Sequence, residues 1–199
     1  MNKTAILIIL DRSGSMSSIA QEVREGFATF VQEQREAPDE ATLSLVQFDN
    51  QYEMNYSHVP IEDAPPLVFE PRGMTSLLDA IGRGVVDFTT SHEALPKSER
   101  SNKFIVLVMT DGAENSSQEW TKPRIVEMIE AKKKLGWEFV YIGASMEGVN
   151  DAHGYGIQAS VGSLKSAGTA ATFGSMSRGV ASYRSGGGYT TGSIEPDKK

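Results

Sequence analysis

Short aliphatic runs alternate along this chain with longer segments in which apolar residues recur every three or four positions. An uninterrupted apolar run is typical of a strand that is buried on both faces of a parallel sheet. Three such runs occur, at Ala5–Leu10, Phe104–Met109 and Phe139–Ile142. A further run, Leu43–Phe48, alternates more and reaches Val59 through the turn residues Asp49 and Asn50, which predicts a hairpin leading to an antiparallel edge strand.

The segments between these runs have the apolar spacing of helices with one buried face. Two stripes are formed by Ile19, Val23, Phe27, Phe30 and Val31, and by Leu77, Leu78, Ile81, Val85 and Phe88. Thr121 can cap a third helix that has Pro123 in its first turn and Lys132–Lys134 at its C-terminal end, where positive charge is favourable. This order predicts an α/β fold with a doubly wound, mostly parallel central sheet, one antiparallel edge strand and helices on both faces.

The C-terminal part of the chain predicts one more strand and one more helix. Alternation favours a small strand at Ile157, Ala159 and Val161. Helical spacing connects Phe173, Met176, Val180 and Tyr183. We therefore expect a single domain over residues 1–185, with its C-terminal helix at about 165–185, followed by a flexible tail over residues 186–199.

The composition removes several classes of function. The chain has no cysteine, so a disulfide framework, a thiolate metal site and a cysteine nucleophile are excluded. Its 26 acidic and 19 basic residues give a net charge of −7 without a basic stripe to neutralise phosphates, so we expect no nucleic-acid partner. Because Ala5–Leu10 is too short for a signal peptide or a membrane span, we also expect no membrane association.

Two carboxylates and three hydroxyls stand next to the predicted strand and helix ends. Asp11, Ser13 and Ser15 come directly after the first aliphatic run. Asp111 follows the second long run, and Thr75 precedes the second helix. Since ligands bind beyond the carboxyl ends of the strands in open α/β sheets, we expect these five side chains at one edge. This all-oxygen set suits Mg²⁺, with Mn²⁺ or Ca²⁺ as alternatives, and it offers no imidazole or thiolate to a softer metal.

The same residues favour a protein-binding module over an enzyme. A metal held mainly by hydroxyls keeps much of its positive charge, so it favours an incoming carboxylate from a partner protein. Both carboxylates of the set, Asp11 and Asp111, are committed to the metal, which leaves no general base beside the hydroxyls. Met16 and Met74 flank the site; gap-filling in the core is the default interpretation of a methionine, and an apolar rim around the metal is the alternative.

These motifs resemble the von Willebrand factor type A domain. The metal-ion-dependent adhesion site of that family combines Asp-x-Ser-x-Ser after a hydrophobic strand, a threonine that opens a later helix, and Thr-Asp-Gly after another strand. The resemblance covers roughly residues 3–160 and implies that Ser13, Ser15 and Thr75 bind the metal through their hydroxyls. It further implies that Asp11 and Asp111 act directly or through bound water.

Two C-terminal segments sharpen this resemblance. Phe139–Ala144 and the predicted helix Ala167–Ser185 are similar to small stand-alone members of the class from bacteria and phages, including tellurite-resistance-associated ones. The resemblance implies a cytoplasmic protein, in a bacterium or a phage-infected host cell. In this family, ligand engagement can be linked to movement of the last helix, and the resemblance implies the same for the helix predicted here.

Two other functions stay open on the residues alone. A Mg²⁺-dependent phosphatase of the haloacid-dehalogenase type also has an aspartate after its first strand, but its pattern is Asp-x-Asp, and here Ser13 occupies the second position. Lys122 could still stabilise a phosphorylated aspartate. A phage or bacterial structural component with an incidental metal site is the third hypothesis.

Several polar residues near the predicted site have more than one interpretation. Asp79, one turn into the second helix, either orients a metal ligand or is a solvated helix residue. Glu114 and Asn115 either contact a partner or belong to a solvated loop. Asp49 and Asn50 are interpreted as turn formers rather than ligands.

Overall fold

Strands and helices alternate through residues 3–143, 154–161 and 166–189, which are the residues that this computed structural model describes. The strands are β1 Lys3–Asp11, β2 Glu40–Phe48, β3 Tyr52–Pro60, β4 Lys103–Thr110, β5 Glu138–Gly143 and β6 Gln158–Val161. The helices are α1 Ala20–Glu36, α2 Leu77–Ala94, α3 Lys122–Lys134 and α4 Ser166–Arg184, with short 3₁₀-helices at Gly14–Ile19 and Ile61–Asp63. None of the described helices is long and apolar enough to cross a membrane.

The described strands form one sheet in the order β3-β2-β1-β4-β5-β6. β3 is antiparallel to β2, whereas the other neighbouring pairs in this sheet are parallel. The central strand β1 is in register with both neighbours, so that Leu10 lies opposite Gln47 of β2 and Met109 of β4. The predicted sheet, including its antiparallel edge strand, is confirmed, and the carboxyl ends of β1, β2 and β4 share one edge.

Two cores lie on the two faces of the sheet because successive side chains of a strand point to opposite faces. The core against α1 and α4 includes Ile6, Ile8, Leu10, Phe27, Phe30 and Phe173. The core against α2 and α3 includes Ala5, Leu7, Ile9, Ile81, Val85 and Ile125. Helices therefore cover both faces, as the uninterrupted apolar runs require.

The predicted C-terminal helix is observed as α4, and it is fastened to α1 and to the start of β4. Arg184 is 1% exposed, and its guanidinium donates hydrogen bonds to the carbonyl oxygen of Gln34, at 2.6 Å, and to that of Asp39. The Tyr183 hydroxyl donates to the carbonyl oxygen of Phe104 at 3.1 Å. The movement of this helix that the family resemblance implies stays a prediction.

Tyr189 packs onto α4 within the segment that the sequence predicts as a tail. Its side chain is 7% exposed, and its ring lies only 2.5 Å from the position that a Cβ on Gly179 would occupy. The absence of a side chain at Gly179 therefore makes room for the tyrosine. Residues 190–199 of the predicted tail, and Ala144, lie outside the described residues.

A methyl group at Gly26 should weaken the packing of α1 against α4. A Cβ at Gly26 would lie 2.2 Å from Cδ2 of the buried Phe173 ring, which is closer than such atoms can approach. We expect Gly26→Ala to lower the free energy of unfolding by about 1–3 kcal/mol, because overpacking outweighs the gain in helix propensity. Urea unfolding followed by circular dichroism measures this change.

Gly174→Ala in α4 is the matched control. The nearest atom to its Cβ would be Nη1 of Arg178, at 3.4 Å, so there is room for the methyl group. Its stability should stay level or rise, and equal losses in the two variants would contradict the packing argument.

Candidate metal-binding site

Parallel pairing of β1 with β4 brings the ends of these two strands together. Asp11 is the last residue of β1 and is fully buried, whereas Asp111 directly follows β4 and is partly exposed. Oδ1 of Asp11 accepts a hydrogen bond from the N–H of Ser13 at 2.6 Å, and Oδ2 accepts one from the Thr110 hydroxyl at 2.5 Å. Both oxygens of this carboxylate are therefore held in fixed positions at the sheet edge.

The serine hydroxyls connect the two aspartates. Oγ of Ser13 lies 3.0 Å from Oγ of Ser15, and the Ser15 hydroxyl donates a hydrogen bond to Oδ1 of Asp111 at 2.6 Å. Ser13 is 2% exposed, while Ser15 is exposed. The cluster is therefore closed on the side of the sheet and open to solvent on the side of Ser15.

Thr75 reaches the same place from the start of α2. A Cβ on Gly112 would lie 3.0 Å from Oγ1 of Thr75 and 3.6 Å from Oδ2 of Asp11, so Gly112 lies against both groups and leaves Thr75 free of a tight contact. The structure thus brings all five predicted residues together. In the described part of the chain no group of three or more His, Cys, Asp or Glu side chains could hold a metal ion, so a cation here would depend on the hydroxyls.

The two carboxylates lack a cationic partner in the part of the chain that the structure describes. Neither Asp11 nor Asp111 forms an ion pair with a lysine or arginine among the described residues. Burial raises the pKa of Asp11 from its usual 3.8 to about 6; the hydrogen bonds from Thr110 and Ser13 oppose this rise, and the charge of Asp111 adds to it. A bound divalent cation would offset this cost, and carboxylate and hydroxyl oxygens are the ligands it prefers, so the residues present fit such an ion.

A buried ion-pair network holds the two loops that carry the hydroxyls. Asp49 is fully buried, and its Oδ2 accepts hydrogen bonds from Nε of Arg12, at 3.1 Å, and from Nε of Arg72, at 2.9 Å. The N–H of Arg72 also donates to the carbonyl oxygen of Arg12 at 2.7 Å. Oδ1 of Asp49 accepts from the N–H of Gln51 at 2.6 Å, which confirms Asp49 as a turn former. Its second role, as counter-ion to two arginines, was not predicted because the sequence pattern does not show which distant loops meet.

The loop that follows β4 caps the start of α2. Oδ1 of Asn115 accepts a hydrogen bond from the N–H of Thr75 at 3.0 Å, and Oε2 of Glu114 accepts one from the N–H of Leu78 at 2.9 Å. In the other direction, the Asp79 carboxylate accepts hydrogen bonds from the backbone N–H groups of residues 118–120.

This reciprocal capping corrects the sequence interpretation. Glu114 caps α2 through the N–H of Leu78, whereas Asn115 is an exposed loop residue that binds the N–H of Thr75 before the helix begins. Asp79 orients a backbone loop rather than a ligand side chain. A signal for this was present, because the first N–H groups of a helix need acceptors and the N-cap residue of α2, Ser76, supplies none from its side chain.

The two methionines near the site have different environments. Met16 is fully buried in the core against α1 and α4, because the 3₁₀-helix Gly14–Ile19 turns its side chain inward. Met74 is 52% exposed and lies next to Thr75. Met16 therefore fills the core, as the default interpretation of a methionine expects, and the apolar rim stays a prediction for Met74 alone.

The chain matches one protein-family model. The model of the von Willebrand factor type A domain matches residues 5–175. Comparison with curated proteins gives no match.

Several solved structures share the fold. The pilus adhesin SpaC from Lactobacillus rhamnosus GG, in its open conformation, aligns with a TM-score of 0.67 and 14% identity over 92% of this chain and 30% of that chain. The vWF domain of the type V pili tip protein Mfa5 from Porphyromonas gingivalis aligns with a TM-score of 0.62 and 9% identity. This alignment covers 90% of the present chain and 95% of the Mfa5 chain. Proximal thread matrix protein 1 from the mussel byssus aligns with a TM-score of 0.50 and 18% identity, over 71% of the present chain and 36% of the byssus protein. This chain thus spans only about a third of the adhesin and of the byssus protein.

An uncharged isostere of Asp11 should stabilise the metal-free protein at high pH. Because the pKa of Asp11 is about 6 in the folded state, against the usual 3.8, its ionisation opposes folding as the pH rises through 6 and has little effect near pH 4. We expect Asp11→Asn to raise the free energy of unfolding by about 1–3 kcal/mol at pH 8 in EDTA, and hardly at all at pH 4. The amide can keep both contacts, since the Thr110 hydroxyl can donate to the Gly112 carbonyl instead, 3.2 Å away.

Urea unfolding at the two pH values measures the effect of Asp11→Asn. Asp63→Asn, which changes an exposed carboxylate in the 3₁₀-helix Ile61–Asp63, is the control and should change stability little at either pH. A loss of stability in Asp11→Asn at pH 8 would contradict the view that burial of this charge is costly.

Loss of the Asp49 charge should destabilise the protein strongly. Asp49→Asn leaves the buried Arg12 and its neighbour Arg72 without their shared counter-ion, so we expect the free energy of unfolding to fall by about 3 kcal/mol. Glu53→Gln removes the other carboxylate on Arg12, which is 2.7 Å away but 51% exposed, and should cost less than about 1 kcal/mol. Urea unfolding of both variants compares the two, and similar costs would show that burial does not decide the strength of these pairs.

Proposed function

Because this chain belongs to the von Willebrand factor type A domain family, we propose that it is a protein-binding module that holds a divalent cation and engages an acidic residue of a partner protein. The proposed metal ligands are Asp11, Ser13, Ser15, Thr75 and Asp111. The proposed ion is Mg²⁺, with Mn²⁺ or Ca²⁺ as alternatives that the same oxygen ligands accept.

The chain's residues divide this task between them. The hydroxyls of Ser13, Ser15 and Thr75 are neutral oxygen donors, and the carboxylates of Asp11 and Asp111 supply negative charge directly or through bound water. A divalent cation supplies the positive charge that attracts the carboxylate of a partner. Ser15 is exposed, which leaves the approach to the cluster open to that partner.

The single observation that carries this proposal is the meeting of three hydroxyls with two carboxylates that have no cationic partner among the residues described. A cluster of this kind is unfavourable by itself, since Asp11 is buried and the charge of Asp111 raises its pKa further. A cation would turn this cost into a favourable interaction. Two of the similar structures are, by their descriptions, a pilus adhesin and a pilus tip protein, which supports a role in binding.

We propose no catalytic role for these residues. Ser13 stands where a phosphatase of the haloacid-dehalogenase type carries its second aspartate, so the acid/base carboxylate of that reaction is missing. Turnover of a phosphomonoester that disappears in Asp11→Asn would contradict this part of the proposal.

Isothermal titration calorimetry of the metal-stripped protein with Mg²⁺ and with Mn²⁺ tests the metal site. We expect one ion to bind per chain. Ser13→Ala/Ser15→Ala should weaken this binding at least about 100-fold, because two of the five proposed ligands are removed. A loss of this size exceeds the one that is typical of residues that only orient metal ligands. Ser18→Ala changes an exposed serine in the 3₁₀-helix Gly14–Ile19, which also contains Ser15. This control variant should bind the ion as the wild type does.

Two results would contradict the proposal. If the folded wild-type protein bound neither ion, the proposed metal site would be wrong. The reason to expect a carboxylate from a partner would then be lost as well. Equal binding by the wild type and the double variant would place the ion elsewhere on the chain. Circular dichroism of each variant controls for loss of fold.

A further inference from the structure

We infer that the chain has a second docking surface, separate from the candidate metal site, which accepts an acidic segment of a partner protein that carries an aliphatic side chain. This surface is a groove of about 320 Å³ between α1 and the connection that follows β3. We call it the α1 groove. Its apolar lining includes Ala28 and Val31 on α1 and Pro65 and Pro66 on the opposite wall, and Arg24 and Arg35 complete it.

Hydrogen bonds between α1 and the connection after β3 define the shape of the α1 groove. Nη2 of Arg24 donates a hydrogen bond to the carbonyl oxygen of Phe69 at 2.6 Å. Nε of Arg35 donates to the carbonyl of Ile61 at 3.1 Å, and its Nη2 donates to that of Ala64 at 3.3 Å. The two arginines therefore hold the far wall of the groove at a set distance from α1. Two consecutive prolines stiffen that wall further, because each fixes its own φ angle.

The two arginines of the α1 groove have no ion-pair partner in the described part of the chain. Neither Arg24 nor Arg35 forms an ion pair with a carboxylate among the described residues, although the chain as a whole carries a net charge of −7. Their hydrogen bonds go to neutral groups, which are the backbone carbonyls named above and, for Arg24, also Oε1 of Gln21 at 3.4 Å. Two such charges beside an apolar floor are complementary to carboxylates that flank an aliphatic side chain.

A second cavity on the other side of the Pro65–Pro66 ridge extends this surface. It has a volume of about 220 Å³ and is lined by Leu45, Gln47, Asn55, Tyr56, Pro65, Pro66 and Val68. Val68 is 73% exposed, whereas Gln47 is 3% exposed. The surface therefore offers apolar contacts on both sides of the ridge.

Two buried polar atoms in the lining of this second cavity lack partners. Oε1 of Gln47 and the hydroxyl of Tyr56 have no hydrogen-bond partner among the described residues. Buried polar groups are almost always paired in folded proteins, so an acceptor and a hydroxyl left over at one cavity point to a ligand with polar groups of its own. The backbone N–H and C=O groups of an extended segment crossing the ridge would supply them.

An NMR titration with a designed peptide tests this inference. The probe is the acetylated and amidated pentapeptide Asp-Leu-Asp-Leu-Asp, added to ¹⁵N-labelled protein in EDTA, with Asn-Leu-Asn-Leu-Asn as the uncharged analogue. We expect the acidic peptide to shift the amide signals of residues 24–35 and 61–69 with a Kd on the order of 1 mM, a weak affinity that suits a short linear probe. The uncharged analogue should bind at least about fivefold more weakly.

Two variants of α1 complete the experiment. Ala28→Glu places a negative charge in the lining four residues after Arg24, breaks no hydrogen bond, and should weaken binding at least about fivefold. Thr29→Glu adds the same charge at the next, exposed position, outside the lining, and removes one exposed hydrogen bond from the Thr29 hydroxyl to the Glu25 carbonyl. It is the control for the added charge and should bind as the wild type does. Unchanged circular dichroism spectra verify the fold of both.

Several outcomes would overturn the inference. These are equal binding of the uncharged analogue, equal weakening by the two variants, absence of shifts in the α1 groove, or shifts confined to the loops of the candidate metal site. Because the titration contains EDTA, its failure leaves the metal-dependent function untouched, and loss of metal binding leaves the α1 groove untouched.

Discussion

Burial of β1 on both faces is the constraint from which the rest of this architecture follows. A strand with apolar side chains on both sides must be covered on both sides, which requires helices on each face of the sheet. The same burial fixes where polar residues can follow β1, because the strand reaches the surface of the core only at its carboxyl end. That end is Asp11, and parallel pairing with β4 puts the turn at Asp111 beside it. The position of the candidate metal site is thus a consequence of how the core is covered.

Two fully buried carboxylates at this edge have opposite surroundings. Asp49 is neutralised by Arg12 and Arg72, so its charge serves to join loops. Among the described residues Asp11 receives hydrogen bonds from neutral groups and forms no ion pair, and burial raises its pKa to about 6. A buried charge that the chain itself leaves without a counter-ion is a marker of function, whereas one with a counter-ion is a marker of structure. This contrast, more than the mere grouping of polar residues, supports the assignment of Asp11 to a cation.

The connection between β3 and α2 serves both binding surfaces that we propose. Its first part forms the far wall of the α1 groove, held by Arg24 through the Phe69 carbonyl. Its last part carries Thr75 to the candidate metal site and is held there by the backbone contact from Arg72 to Arg12. A stretch without regular secondary structure can keep a defined shape in this way because its backbone groups bind side chains and loops of the helices and strands around it. Binding residues on such a stretch are positioned by the scaffold on both sides.

The sequence by itself determined the class of fold and the members of the candidate site. Uninterrupted runs such as Ala5–Leu10 specify a sheet covered on both faces, and Asp11 and Asp111 follow such runs directly, so their place at one edge needs only the parallel pairing of strands. The partners of Asp49, the capping role of Glu114 and the inward turn of Met16 were decided only by the tertiary structure. The physical reason is the distance along the chain between interacting residues. Hydrophobic periodicity shows only how the residues of one segment are buried. A hydrogen bond or ion pair between distant loops exists only once packing has brought those loops together.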